Sequence, residues 1–245
     1  MGLFLKLIQF ALKTALSVFS VLVITPFPAF AGGVEITSFG HSSLLIKGGG
    51  KSVLLNPFTA VGCASGFKPP NVNANLILAS SELADEGARI SKGTFLVQPG
   101  SYRIHGLQIE GFPVDHDRLG GRRFGKATVW KWTQSGMNFA HLGGAAGSLA
   151  DADKILLGKI DVLIIAVGGG DKVYNAKEAA KIVRELTPSQ VIPVHYRVKD
   201  TSDKCDLDSV QPFLDELKDA EIKNVGKIFS VRDIDPDNIL VNLIN

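Results

Sequence analysis

The side chains best suited to chemistry in this chain are five histidines and an adjacent acidic pair, Asp85 and Glu86. Imidazole nitrogens and carboxylate oxygens ligate divalent ions, and both carry protons in acid–base steps. The acidic pair ends the stretch Leu76-Ile-Leu-Ala-Ser-Ser-Glu-Leu-Ala-Asp-Glu86, an apolar strand pattern running into a polar turn and a short helix. There the plainer reading is a solvated first helical turn, where acids suit the positive end of the dipole. His195 directly follows an apolar run, and is either a ligand or a buried histidine held by hydrogen bonds. His116, between Asp115 and Asp117, is expected to be exposed or paired with a carboxylate. His141 ends a strand pattern and reads as structural, His41 lies in Gly-His-Ser-Ser, and His105 has no context. Ser42, Ser43, Ser80 and Ser81 are conceivable nucleophiles with His116 or His195 as base, but no Gly-x-Ser-x-Gly elbow is present. Gly143-Gly144-Ala-Ala-Gly147 and Gly168-Gly-Gly170 fit neither phosphate loops nor a dinucleotide fingerprint, and read as tight turns.

The elements that must position these groups follow from periodicity. Residues 34–39 alternate as a strand, and 44–47 and 52–55 form a hairpin around Gly48-Gly-Gly50. Residues 59–75 carry Gly, Pro and Asn without periodicity and read as loop. Residues 76–79 are continuously apolar, as in a strand covered on both faces. Further strands are expected at 94–97 and 107–112, with a second hairpin from 126–133 and 137–141. Strand and helix then alternate: a buried strand at 161–167, a helix capped by Asn175 with Glu178 three residues on, and a strand at 190–194. An amphipathic helix over 207–217 and strands at 227–231 and 239–243 close the chain. Two strand-rich halves with helices outside predict an α/β fold, a four-layer αββα sandwich.

Five segments in order resemble the metallo-β-lactamase superfamily, in its lactonase-like branch of metal-dependent hydrolases. They are Phe39-Gly-His-Ser-Ser43 with Leu55-Asn-Pro-Phe58, the Leu76–Glu86 stretch, Pro113-Val-Asp-His116, Ala140-His-Leu-Gly-Gly144 and Ile192-Pro-Val-His-Tyr196. The resemblance implies a two-metal hydrolase site, and this chain departs from it. Ser81 and Leu83 stand where the first metal takes two loop histidines, which leaves His116 alone. At the second site Asp85 and His195 are kept, Glu86 replaces a histidine and Gly144 replaces the bridging aspartate. Asn56 replaces a supporting aspartate. Asp85, Glu86, His116 and His195 are thus the candidate residual metal set, holding no metal or at most one divalent ion such as zinc or manganese.

Bulk features bound the setting. Residues 1–31 place Lys6 and Lys13 around an uncharged run and end on Ala29-Phe-Ala31, the order of a secretory signal cleaved before Gly32, with a retained membrane anchor as the alternative. One domain is then expected over 32–245, exported to a periplasm or comparable lumen. Outside that segment 24 basic and 24 acidic residues balance, which gives no reason to expect nucleic acid. Cys63 and Cys205 are far apart and lack motif spacing, so two unpaired loop cysteines are expected, although an oxidising lumen permits a bridge. The leading expectation is a non-catalytic or altered protein acting through the ancestral cleft on a small molecule or a protein. The alternative is a single-metal hydrolase of a small ester, lactone or phosphoester. A docking module of a membrane-associated complex is a third reading.

Overall fold

Two mixed sheets carry the architecture. The computed structural model describes residues 32–147, 149–199, 205–232 and 234–245, so the secretory segment expected at 1–31 lies outside the described residues. The first sheet contains β1 (Val34–Gly40), β2 (Ser43–Gly48), β3 (Lys51–Leu55), β4 (Asn73–Leu78), β5 (Lys92–Leu96) and β13 (Ile228–Val231), in the order β13-β1-β2-β3-β4-β5. The second contains β6 (Gly100–Ile104), β7 (Leu107–Asp115), β8 (Lys126–Gln134), β9 (Met137–His141), β10 (Val162–Ala166), β11 (Gln190–Val194), β12 (Glu221–Val225) and β14 (Leu240–Ile244), in the order β12-β14-β11-β10-β9-β8-β7-β6. Helices α1 (Asp151–Leu157), α2 (Ala176–Leu186) and α3 (Gln211–Glu216), with a single 3-10 turn at Gly62–Ala64, complete the described elements.

Side-chain alternation along each strand divides the core into two layers. Val162 and Ile164 of β10 face the first sheet, where they join Ile36, Ile46, Val53, Leu76, Trp130 and Phe139. Leu163 and Ile165 face the other way and meet Ala179, Ala180 and Val183 of α2 and Phe213 of α3. The Trp132 and Phe139 rings stack at 5.0 Å between the sheets, a contact worth about 0.5–1.5 kcal/mol beyond its buried area. α2 has the cap expected of it: Asn175 Oδ1 accepts from the Glu178 N–H at 3.0 Å, and Glu178 Oε2 accepts from the Asn175 N–H at 2.8 Å.

The functional end of the sandwich is set by the parallel strands. β3 pairs in parallel with β4, and β9, β10 and β11 run parallel, so the segments leaving their carboxyl ends gather at one rim. Cross-sheet hydrogen bonds fix that rim. Trp130 Nε1 donates to the Ala79 carbonyl at 2.9 Å, and the Thr128 N–H donates to the Ser80 carbonyl at 2.7 Å.

Three local expectations are corrected. No helix follows β4; residues 82–86 form turns, because the buried Glu86 draws the chain inward instead of letting it run along the surface. The helix expected over 207–217 is reduced to α3, because residues 205–209 instead form an irregular segment packed by Cys205 and Leu207 against Val173. Cys63 and Cys205 form a disulfide across a sequence separation of 142. Spacing could not reveal it, since the loop after β3 and the segment before α3 meet only in the folded chain. A constraint on so long a loop acts mainly by reducing unfolded-state entropy. Reducing the bond, or making C63S/C205S together, is expected to cost about 2–5 kcal/mol in urea unfolding; unchanged midpoints would contradict this.

Candidate metal centre

Two backbone turns place the first pair of groups. His41 occupies the β1–β2 turn with φ 51°, and His195 follows β11 with φ 55°. Both are in the left-handed region that non-glycine residues rarely adopt, as is Asn56 at φ 40° nearby. Such strain persists where surrounding structure over-determines it. Here the His195 N–H donates to the His41 carbonyl at 2.8 Å, which holds the two imidazoles with centroids 3.9 Å apart. The Gly168 N–H binds the His195 carbonyl at 3.1 Å, and a Cβ at Gly168 would stand 2.3 Å from that oxygen, so the close approach requires glycine. Asp85, in the turns after β4, brings Oδ2 to 4.0 Å from His41 Nε2. One ligand atom from each of His41, Asp85 and His195 lies within 4.8 Å of the others.

A second group adjoins the first through His195. Glu86 is fully buried, with Oε1 3.8 Å from His195 Nδ1 and Oε2 3.4 Å from His116 Nε2. The Ser80 and Ser81 hydroxyls donate to Oε2 at 2.8 and 3.2 Å. Burial by itself would push the Glu86 pKa up. The His116 contact, then His195 and Lys172, outweigh it and hold the carboxyl well below the usual range, so Glu86 stays ionised. Burial acts oppositely on the bases: it lowers His41 and His195, and brings His141, at the end of β9, to about 4. Asp117 accepts backbone N–H bonds from Leu119, Gly121, Arg123 and Phe124 at 2.8–3.0 Å. Desolvation opposes these bonds, yet they pull Asp117 down to about 2 and shape the loop that carries Phe124 beside His116.

The sequence candidates therefore divide. Asp85 and His195 come together with His41, whose place in the set was not anticipated. Glu86 and His116 form a buried pair next to them; Glu86 is not the solvated acid of a helix start, and His116 meets a carboxylate but is not exposed. Lys172, in the turn after Gly168-Gly-Gly170, was also missed. Its ammonium forms an ion pair with Asp85 Oδ2, a contact across 87 residues that no local pattern signals. His105 lies at the β6–β7 turn, away from these groups.

Asn56, read from the sequence as the loss of a charge, has a positive role. Its Nδ2 donates to Ser80 Oγ at 2.9 Å while its Oδ1 accepts from the Ser80 N–H at 2.8 Å, so Ser80 can point its own proton at Glu86. An ionised aspartate accepts only. Asn56→Asp is accordingly expected to lower stability by about 1–3 kcal/mol in urea unfolding, and a wild-type midpoint would rule the relay out.

The centre fits a divalent ion by its chemistry. Both nitrogens of His41, Nδ1 of His195, Oε1 of Glu86 and both nitrogens of His116 are buried with no hydrogen-bond partner among the described residues. Unpaired buried polar atoms are costly, and a cluster of them suits a bound ion or ordered water. Nitrogen and oxygen ligands of a tetrahedral zinc stand about 3.4 Å apart, so the triad, whose ligand atoms lie within 4.8 Å of one another, would have to draw together around an ion. Gly144 lies against the other group: a Cβ there would meet His116 Nε2 at 2.3 Å and Glu86 Oε2 at 2.5 Å, so a bridging carboxylate at this position would require one of those side chains to move.

Two sheets with helices outside and polar groups gathered at the carboxyl ends of parallel strands define a metallo-β-lactamase fold. The profile of the β-lactamase superfamily domain matches residues 35–195, and the chain belongs to that family. It is 24% identical over 193 residues to a UPF0173 metal-dependent hydrolase of Thermococcus kodakarensis, covering 66% of this chain and 84% of that protein. It is 27% identical over 192 residues to a similarly named protein of Thermococcus onnurineus, with the same coverage. Among solved structures, a Thermotoga maritima protein classed with the zinc-dependent hydrolases of this superfamily superposes with TM-score 0.69 at 27% identity, over 86% of this chain and all of that one. A Parabacteroides distasonis protein shares the fold alone, with TM-score 0.60 at 18% identity over 86% and 93% of the two chains.

Proposed function

We propose that this protein is a metal-dependent hydrolase of a small ester, lactone or phosphoester, working with a single divalent ion held by His41, Asp85 and His195. The observation that carries the reading is the convergence of those three side chains, with both His41 nitrogens and His195 Nδ1 buried and without a hydrogen-bond partner among the described residues. The relatives named metal-dependent hydrolases support it over the non-catalytic reading that the lost ligands first suggest.

When bound, the ion would supply Lewis-acid polarisation of a carbonyl or phosphoryl oxygen. The chain's own residues do the rest. Burial keeps His41 and His195 neutral, so each offers a lone pair. Ionised Glu86 lies against His195 Nδ1 and His116 Nε2 and favours the orientations in which those nitrogens carry protons. Its low pKa makes it an anchor for the imidazoles and a poor proton carrier. Asp85, partly exposed, is the one member of the triad that solvent reaches.

The experiment is metal uptake by stripped protein, followed by hydrolysis assays with zinc or manganese on small esters, lactones and phosphodiesters. One equivalent bound with metal-dependent turnover is expected; no uptake and no turnover would overturn the reading. A second reading, a cleft closed by its own charges and acting by binding alone, is favoured by the Lys172–Asp85 pair and by the two hydroxyls already donated to Glu86. Absence of both uptake and turnover on any of these substrates would select it, because a cleft already neutralised by its own charges takes up no ion. Export through the segment at 1–31 belongs to the same proposal, and the disulfide is the feature that suits an oxidising compartment.

A further inference from the structure

Lys172 places a positive charge on the one ligand of the candidate triad that solvent can reach. The Asp85 side chain is 16% exposed and Lys172 23%, whereas His41 and His195 are 1% and 2% exposed. An ion entering from solvent therefore meets Asp85 first, and finds Oδ2 already paired with the ammonium. The same oxygen faces His41 Nε2 at 4.0 Å, so the lysine and a metal would compete for one atom.

The loop around Lys172 is clamped on both sides. Arg118 donates to the Gly170 carbonyl, to the Val173 carbonyl at 2.9 Å and to Glu178 at 2.8 Å, and Arg123 pairs with Asp171. The backbone is thus fixed and the lysine stem is the part free to move. In its paired position Nζ also lies 5.9 Å from the Phe124 ring centroid, at the outer limit of a cation–π contact, and the Arg123 guanidinium lies over the same ring at 4.8 Å. Two carboxylates, Asp85 and Glu86, face this single ammonium. Removing the ammonium without a replacement would leave Asp85 uncompensated beside the buried Glu86.

We propose that Lys172 is the resident counter-cation of the metal-free centre, and that metal loading is an exchange in which a divalent ion displaces this ammonium from Asp85. The proposal rests on the triad reading given above. In this scheme Lys172 sets how tightly the ion is held: without a metal Asp85 is neutralised by the ammonium, and every binding event must first break that ion pair.

The test is calorimetric titration of zinc into stripped wild type, Lys172→Met, Lys172→Arg and, as a control on an exposed lysine elsewhere, Lys126→Met. Lys172→Met is expected to bind zinc at least tenfold more tightly, while Lys172→Arg and Lys126→Met stay within twofold of wild type. Stripped Lys172→Met is also expected to melt below stripped wild type, with a larger rise on adding zinc. Should Lys172→Met fail to fold, acetylation of Lys172 in wild type, followed by mass spectrometry, gives the second readout: labelling should rise several-fold on zinc addition. Wild-type zinc binding with equal or weaker binding by Lys172→Met, or unchanged labelling, would overturn the exchange and leave the triad standing. Failure of wild type and every variant to bind zinc would sink both.

Discussion

Replacing His195 by alanine is expected to weaken zinc binding by more than about 100-fold, because even a second-shell partner of a metal ligand is worth 10–100-fold. Hydrolytic turnover should vanish with it. His195 is the residue common to both groups in the centre: it belongs to the triad with His41 and Asp85, and it faces Glu86 at 3.8 Å. Its left-handed backbone complicates the choice of substitution. Asparagine tolerates that conformation better than alanine, so His195→Asn serves as the second variant. The informative comparison is the melting of metal-stripped proteins. If His195→Asn keeps the wild-type metal-free melting temperature and loses zinc, the side chain is a ligand; if it keeps both zinc and activity, the triad is wrong.

Restoring the family's aspartate at Gly144 is expected to unfold the rim and not to rebuild a second metal site. A Cβ at that position already collides with His116 Nε2 and Glu86 Oε2. Gly144→Ala alone should cost about 1–3 kcal/mol through overpacking. Gly144→Asp adds a third carboxylate against a buried, ionised Glu86, and should cost on the order of 3–5 kcal/mol. Urea midpoints of the two variants measure this directly. A Gly144→Asp protein of wild-type stability that takes up two zinc ions would mean that Glu86 swings aside readily, and would remove it as a fixed anchor.

The sequence made most strands and α2 readable because their signals are local, while β6, β12 and the short α1 were not read from it. Alternation marks β1 and β8, the glycines after Lys47 mark the β2–β3 hairpin, and Asn175 with Glu178 marks the helix start. The family resemblance located Asp85, Glu86, His116 and His195 in one neighbourhood, and the folded chain keeps them there. What it could not supply was how they divide, because that depends on turns with unusual dihedrals and on partners remote in sequence. His41 joins the triad through a left-handed turn, and Lys172 reaches Asp85 across the interval between two loops. Glu86 reads as a surface acid until Ser80 and Ser81 are seen to turn their hydroxyls toward it, with Asn56 donating to Ser80 behind them. Substituted ligands looked like loss when taken one by one; assembled, they form a different polar network.

The Cys63–Cys205 bridge bears on biogenesis. Its second half emerges 142 residues after its first, when most strands of both sheets have already been made. Cys63 must therefore wait as a free thiol while the domain is synthesised, and closure comes as a late maturation step that seals the loop after β3 to the segment before α3. A chain halted before Cys205 would lack that seal and also β12, β13 and β14, the strands that complete the edges of both sheets. Oxidation state at this one bond is thus a marker of full-length, correctly assembled molecules.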